Sequence, residues 1–375
     1  MIACFRADAS LAIGSGHVMR CLALADELRE RGHRCVFVGH ELEGQRFDVV
    51  RARGHEQVVL PALEGAPYGA DEGAPPHAAW LAGPWRQDAA ATRAAAEAAG
   101  ADLLVLDHYG LDARWQAAAR PAGVGLMVLD DLADRPHGAD LLLDQNLGRA
   151  AADYDGLVPE SCRLLVGPTY AMVAPRFGEL RAASLERRSA QAERAAGIGS
   201  ILISMGGVDA GDASGASLAA LEAWAPPGTA GLPDATRVTI VMGAHAPHLA
   251  RVRERAAASR LAAEVVVDVR DMAERMAAAD LALGGAGGTA WERCALGLPT
   301  IVLVLAPNQA PGARALEQAG AAILADSPAE VGACLATLSD PARLAQVGRA
   351  AAAAVDGRGL ARACDAMEQL MEHRV

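Results

Sequence analysis

One histidine directly follows a glycine pair near the beginning of the chain. His17 comes after Gly14-Ser15-Gly16, where apolar residues begin to recur at helical spacing. Free histidine has a pKa near 6.5, and the positive end of a helix favours the neutral ring, which can accept a proton from water. The residues alone leave the role of His17 open between a general base, an ordinary helix-start residue and a binding contact.

Two further glycine turns also follow strand-like segments. One contains Gly206 and Gly207, and the other contains Gly287, Gly288 and Thr289. Open parallel sheets bind ligands where their strands end, and glycines at a helix start let the backbone approach a diphosphate closely. For each turn, a tight connection without a ligand remains the alternative.

The glycine spacing disfavours a dinucleotide cofactor. A dinucleotide fingerprint needs a third glycine three residues after the second, and Met19 occupies that position. The histidines His245 and His248 lack the helical arrangement and third ligand of a zinc site, so we expect a surface loop there. The acidic pair Asp130-Asp131 together with Asp134 could belong to a metal motif, but the adjacent Arg135 favours a solvated turn. We therefore predict no metal and no cofactor.

All 34 basic residues are arginine, and lysine is absent. This composition excludes a lysine Schiff base and the phosphate-binding lysine of a P-loop. Arginine remains available for clamping phosphate.

The length and net charge of the chain restrict its number of domains and its possible partners. A chain of 375 residues is long enough for two domains, and a net charge of −12 argues against nucleic acid as a partner. No apolar segment is long enough for a membrane helix and no signal peptide is evident, so we expect no membrane partner and a cytoplasmic location. The seven scattered cysteines predict reduced thiols without disulfides.

Strand-like and helical segments alternate throughout, which is typical of parallel α/β sheets. A charged stretch at about 176–199 separates two series and predicts a linker, with domains at 1–180 and 195–375. Segments 64–76 and 226–234 are rich in glycine and proline and predict surface loops. The predicted strands are 2–5, 35–38, 103–106, 125–129, 141–143 and 164–166, followed by 201–204, 238–242, 265–269, 281–283, 300–305 and 322–324.

Two stretches carry the most specific patterns of the chain, IGSGHVMRCL at 13–22 and GGTAWERC at 287–294. Further patterns lie at 5–10, 107–112, 130–132, 143–146, 204–207, 297–299 and 308–309. Together these stretches resemble the UDP-sugar hydrolases of pseudaminic acid biosynthesis and, through them, the GT-B glycosyltransferases.

This resemblance implies a GT-B fold, in which two Rossmann-like parallel-sheet domains face each other across a cleft and the C-terminal domain binds most of the UDP. The implied reaction is inverting hydrolysis of a UDP-2,4-diacetamido-2,4,6-trideoxyhexose to UDP and free sugar, in the nonulosonic acid pathway that serves flagellin glycosylation. His17 would be the base, with Glu292 on the ribose and with Asn308 and Gln309 on the sugar side. Further implied substrate contacts are Gly14, Gly16, Arg20, Tyr109, Gly206, Gly207, Gly287, Gly288 and Thr289.

The chain departs from the family pattern at two positions. Ala174 occupies the place of the expected phosphate-binding arginine, so that either Arg176 replaces the contact or the contact is lost. Gly288 stands where the family often has serine. A glycosyltransferase of the same fold and a catalytically silent UDP-sugar-binding subunit remain alternatives, and the oligomeric state is left open.

Overall fold

The structure is a computed structural model that describes residues 1–66, 68, 73–224 and 232–373. The described chain forms two compact units, which are Met1–Met172 with Gly359–Val375 (unit 1) and Val173–Arg358 (unit 2). Both predicted glycine- and proline-rich loops, 64–76 and 226–234, lie partly outside the described residues.

Unit 1 contains a parallel sheet of seven strands within the described residues. All six strands predicted for this half are confirmed. The seventh, which the pattern did not indicate, is a short edge strand with exposed Glu56, so it lacks a continuous apolar run. The order is β3-β2-β1-β4-β5-β6-β7, with β1 (Ile2–Ala7), β2 (Arg34–Gly39), β3 (Glu56–Val59), β4 (Leu103–Asp107), β5 (Gly125–Leu129), β6 (Leu141–Asp144) and β7 (Arg163–Val166).

Helices cover both faces of this sheet. The predicted first helix is confirmed, and Gly32, at φ +85°, follows its end as expected for a left-handed C-terminal position. Side chains such as Leu22 and Leu28 enter one apolar core, and the fully buried Trp115 enters the core on the opposite face. The helices of the first part of the chain are α1 (Gly16–Glu30), α2 (Phe47–Ala52), α3 (Trp85–Ala99) and α4 (Ala113–Ala119).

Unit 2 is built around a second parallel sheet, of six strands within the described residues. All six strands predicted for the second half are confirmed, although the third begins and ends earlier than expected. Its order is β10-β9-β8-β11-β12-β13, with β8 (Ser200–Ser204), β9 (Arg237–Met242), β10 (Ala262–Val267), β11 (Leu281–Gly285), β12 (Thr300–Leu303) and β13 (Ile323–Ala325).

The charged stretch predicted as a linker is instead largely helix. Its arginines account for its composition, because Arg181 and Arg188 donate to backbone carbonyls at the C-terminal ends of three other helices. Cations at these positions satisfy carbonyls that have no partner within their own helix. The helices of this unit are α5 (Pro175–Glu193), α6 (Ala213–Ala223), α7 (Leu249–Ala257), α8 (Met272–Ala278), α9 (Thr289–Ala295), α10 (Ala310–Gln318), α11 (Val331–Leu338) and α12 (Pro341–Ala354).

The units begin and end differently from the domain bounds expected at 1–180 and 195–375. Helix α5 belongs to unit 2, and the last helix, α13 (Gly359–Glu372), returns to unit 1. Its buried Leu360 and Met367 extend the same core as α1. The position of α13 in the sequence could not indicate that it packs on unit 1, because the apolar face of an amphipathic helix does not specify which core it covers.

No helix within the described residues is both long and apolar enough to cross a membrane.

The return of α13 predicts how one substitution affects folding. Met367→Ala removes a fully buried side chain from the core of unit 1 and should lower its free energy of unfolding by about 2–5 kcal/mol. The matched control is Glu372→Ala at an exposed position of the same helix. Urea unfolding followed by circular dichroism measures both. Equal, small effects of the two substitutions would contradict the packing of α13 on unit 1.

Candidate functional site

The carboxyl ends of three neighbouring strands form the main polar cluster of unit 1. Strands β1, β4 and β5 lie side by side, so the loops that follow them meet at one edge of the sheet. The loop after β1 leads to His17, β4 ends at Asp107, and Asp131 follows β5.

The glycine turn before α1 determines where His17 lies. Gly14 has φ +79°, a conformation that favours glycine, and its N–H donates to the carbonyl of Ser10. Helix α1 then begins at Gly16, and His17 occupies its first turn as predicted.

His17 is buried, with only 7% of its surface exposed, and its Nδ1 lies 2.6 Å from Oδ1 of Asp107. Its ring is perpendicular to Tyr109, at 4.5 Å between ring centroids, and lies 5.6 Å from the ring of Trp80. These contacts hold the imidazole in one orientation.

Arg20 holds the other side of Asp107. Its Nε and one terminal nitrogen each lie 2.6 Å from a carboxylate oxygen of Asp107, and the second terminal nitrogen lies 2.5 Å from Asp131. Burial opposes ionisation of Asp107, but Arg20 and His17 hold the pKa of this carboxyl well below its usual range. Asp107 is therefore a carboxylate that accepts the Nδ1–H of His17, which leaves the lone pair of a neutral ring on Nε2.

Tyr109 completes this cluster on the side of Asp131. Its hydroxyl donates to the Asp131 carboxylate, and its ring stacks on Trp80 at 5.4 Å. His77 lies at the edges of the same two rings, and burial lowers its pKa. The polar ends of Arg20 and Tyr109, both predicted as substrate contacts, are thus bound to carboxylates of unit 1.

In the acidic stretch after β5, Asp134 is exposed as a solvated turn requires, but Asp130 is not. Asp130 is buried and lies 2.9 Å from Arg135, and it accepts hydrogen bonds from the hydroxyl of Tyr154 and the N–H of Ala133. Although burial raises the pKa of Asp130, Arg135 brings it below its usual range. The opposite charge of Arg135 makes the burial of Asp130 possible, and the local sequence could not show this.

Three members of the cluster were not identified from the sequence as functional. Asp107 was only part of a matching stretch, and Trp80 and His77 belong to a segment without a motif. The signal for Asp107 was its position at the end of a buried strand beside the glycine turn, where a parallel sheet collects side chains.

In unit 2, the turn between β11 and α9 is held by Arg293 and Gln309. The buried Arg293 donates to the carbonyl of Gly285 at 2.6 Å and to the hydroxyl of Thr289 at 3.2 Å. The amide oxygen of Gln309 accepts from the N–H groups of Ala286 (3.2 Å) and Leu305 (3.3 Å). Gln309 therefore joins two loops, whereas the neighbouring residue 308, the predicted sugar contact Asn308, is exposed.

Glu292 lies on α9 close to this turn. Its side chain is half-buried and has no hydrogen-bond partner among the described residues, and burial raises its pKa to about 7. Arg293 acts in the opposite direction but does not cancel this effect. Glu292 is a carboxylate without a protein partner, which is compatible with its predicted contact to a ribose hydroxyl.

The two glycine turns of unit 2 differ in whether their helix start is already occupied. After Gly206 and Gly207, the Asp209 carboxylate accepts the N–H groups of Ala213 (2.8 Å) and Ser214 (2.9 Å) at the start of α6. The start of α9, after Gly287 and Gly288, has no side-chain cap. The N–H groups at the start of α6 are therefore already bound by a carboxylate, whereas no side chain binds those at the start of α9.

The remaining predicted positions are at the surface. Arg176 is exposed and binds the carboxylates of Glu274 (2.7 Å) and Glu179 (2.8 Å). His245 is exposed and His248 contacts a backbone carbonyl in a turn, as expected for a surface loop. In the part of the chain that the structure describes, no group of three His, Cys, Asp or Glu side chains could hold a metal ion.

Comparison with known proteins gives two partial sequence matches. Residues 224–338 match the glycosyltransferase family 28 C-terminal domain. A UDP-2,4-diacetamido-2,4,6-trideoxy-beta-L-altropyranose hydrolase of Campylobacter jejuni is 27% identical over 173 residues, which are 46% of this chain and 52% of the relative. The match thus spans about half the length of that curated relative.

Solved structures similar to this chain cover nearly its whole length. MurG of Acinetobacter baumannii has a TM-score of 0.66 at 17% identity, covering 98% of this chain and 99% of MurG. The calicheamicin glycosyltransferase CalG4 has a TM-score of 0.58 at 19% identity, covering 98% and 97%. The predicted GT-B fold, with its two parallel-sheet units, is confirmed.

The raised pKa of Glu292 predicts a pH dependence of stability. The folded state keeps the proton up to about pH 7, whereas the unfolded chain loses it near 4.5, so Glu292 lowers the free energy of unfolding as pH rises through this window. Glu292→Gln should therefore stabilise unit 2 by about 1–3 kcal/mol at pH 8 and hardly at all near pH 4.

Urea unfolding at several pH values measures this difference. The control is Glu317→Gln at an exposed position of α10, for which we expect no pH-dependent gain. A gain for Glu292→Gln that does not change with pH would mean that Glu292 titrates normally.

Proposed function

We propose that this protein is a hydrolase that cleaves a UDP-2,4-diacetamido-2,4,6-trideoxyhexose to UDP and the free sugar, with inversion at the anomeric carbon. The observation that carries the proposal is the buried His17, whose Nδ1 is bound to Asp107 and whose Nε2 is left as a base. The substrate class is that of the Campylobacter jejuni relative, and the partial match supports it. The same substrate would connect the protein with pseudaminic acid biosynthesis and flagellin glycosylation in the cytoplasm.

In the proposed reaction, a water oxygen attacks the anomeric carbon and its proton goes to Nε2 of His17. The bond from the anomeric carbon to the diphosphate oxygen breaks, and the electron pair leaves on UDP. Asp107 is a positioning residue that fixes the tautomer of His17 and stabilises the imidazolium that forms. Arg20 keeps Asp107 ionised and in place.

Unit 2 would bind the UDP. Its match to a glycosyltransferase C-terminal domain supports this assignment, as do the uncapped turn at Gly287, Gly288 and Thr289 and the unpartnered carboxylate of Glu292. Gln309 and Arg293 would hold the turn in the conformation that meets the ligand. UDP is a good leaving group, so this account needs charge stabilisation but no metal and no second carboxylate.

A glycosyltransferase is the second candidate, since the family 28 match and the structural relatives fit it equally well. In that reaction an acceptor hydroxyl replaces water, and His17 and Asp107 keep their roles. A silent UDP-sugar-binding subunit would retain binding without either reaction.

The proposed function predicts UDP release with water as the only acceptor. UDP and free sugar should appear in equal amounts, also in the presence of a chelator. His17→Gln keeps a side chain that can hydrogen-bond water but cannot take its proton, so kcat should fall about 10²- to 10⁴-fold while UDP affinity stays the same. A time course of UDP release and calorimetric titration with UDP measure these effects.

The outcomes separate the candidates. UDP release that requires an added alcohol acceptor would identify a transferase, and binding without release would identify a silent subunit. Near-normal kcat in His17→Gln would leave the base unidentified.

The contact between His17 and Asp107 predicts a second kinetic effect. Asp107→Asn removes the carboxylate that fixes the tautomer of His17, so kcat should fall about 10²- to 10⁴-fold with little change in KM. Circular dichroism and UDP titration check that the variant is folded. If KM rises while kcat is unchanged, Asp107 positions substrate rather than His17.

A further inference from the structure

A cavity of about 380 Å³ lies in unit 1, where β1, β2 and β3 end. Most of its lining is apolar, including Leu63 and the exposed alanines Ala62 and Ala82 at its rim. Its polar members are acidic or aromatic, and no arginine of the described chain lines it. This volume is at the lower end of small-molecule sites and suits one sugar ring with its substituents better than a whole nucleotide sugar.

His40 offers a buried hydrogen-bond acceptor in this cavity. Its residue surface is 6% exposed, and its Nε2 lies 2.7 Å from the carboxylate of Asp88. Asp88 also accepts from Trp115 at 2.6 Å and from Arg6 at 2.7 Å; burial opposes its ionisation, but Arg6 holds its pKa far below the usual range. His40 therefore donates through Nε2, and its Nδ1, which is an acceptor when the ring is neutral, has no partner among the described residues.

Asp8 adds a carboxylate to the lining. One carboxylate oxygen accepts the N–H of His40 at 2.9 Å, and the other lies 2.8 Å from the buried Arg6. Burial raises the pKa of Asp8, but Arg6 brings it below its usual range, so the carboxylate is charged. The oxygen that faces Arg6 is fully buried, so a ligand in the cavity does not reach it. A ligand that supplies an N–H donor would satisfy the Nδ1 of His40.

Trp80 forms a common wall between this cavity and the cluster around His17. Its ring lies 5.6 Å from the ring of His17 and also lines the cavity. Its indole N–H has no acceptor among the residues that the structure describes, so it can donate to a ligand. A group bound in the cavity would therefore be next to the proposed base, separated by one indole ring.

We propose that this cavity binds the acylamino substituents of a deoxygenated sugar and thereby selects the substrate that His17 attacks. An acylamino group carries an N–H for His40, a carbonyl oxygen for the indole of Trp80, and a methyl group for the apolar walls. A sugar with hydroxyls at these positions would place them against apolar walls without partners. The inference rests on the proposed function in one respect, that the sugar is bound beside His17.

The test compares three probes by calorimetry in the His17→Gln background, which limits turnover. The probes are UDP, UDP-N-acetylglucosamine with one acylamino group, and a UDP-2,4-diacetamido-2,4,6-trideoxyhexose. Ala62→Phe and Ala82→Phe each fill the rim of the cavity from an exposed position, so the fold should be retained. Ala152→Phe, at an exposed alanine of the same unit that does not line the cavity, is the matched control.

We expect both rim variants to bind the diacetamido probe about tenfold more weakly, the effect of excluding about two methyl groups from apolar contact. Their affinity for UDP should change less than about twofold, and the control should bind all three probes as the parent does. His40→Phe removes the acceptor and should weaken the diacetamido probe selectively, with circular dichroism as the folding check.

Unchanged preference for the diacetamido probe in both rim variants would overturn the cavity proposal, even if the wild type hydrolyses the substrate. Conversely, if the wild type releases no UDP but the rim variants lose this preference, the cavity proposal stands and the proposed function fails. Equal weakening of UDP and of both sugars would also overturn it, because the substitutions would then act on the fold.

Discussion

The paired contact of Asp107 with Arg20 and His17 is the constraint on which the candidate site depends. A carboxylate that is fully buried is costly unless charges and hydrogen bonds compensate it, and here two nitrogens of Arg20 and the Nδ1 of His17 do so. The arrangement requires β1 beside β4, and it requires α1 to begin at Gly16, so that positions 17 and 20 lie on one face. The order of the strands and the glycine turn together place Arg20 and His17 against Asp107.

Arginine takes the place of lysine throughout this chain, and the geometry of its guanidinium suits buried positions. A guanidinium presents five donors in a plane, so one residue can bind several acceptors at once. Arg20 joins Asp107 to Asp131, Arg6 joins Asp8 to Asp88, and Arg188 binds carbonyls at the ends of two helices. Lysine, with one nitrogen, could not connect these groups in the same way.

Both units contain a strand, a glycine turn and a helix in succession, and this arrangement has a different role in each unit. In unit 1 the turn places His17 against the buried carboxylate of Asp107, so the first helix carries the candidate catalytic base. In unit 2 the turn before α6 is closed by the carboxylate of Asp209, and the turn before α9 is held open by Gln309 and Arg293. Similar local sequences thus give one proton-accepting site and one candidate anion site, according to which side chain reaches the helix start.

The sequence by itself determined the α/β class, twelve strands, the helix that carries His17, and the three glycine turns, because apolar periodicity and glycine conformation act over a few residues. Only the tertiary structure decided that the charged stretch after residue 175 is a helix, that α13 covers unit 1, and that Asp130 is buried. It also decided that Asp107 holds His17 and that Trp80 lies beside it. Each of these results depends on contacts between residues far apart in the chain. Their charges and apolar faces come together only after the sheet has formed.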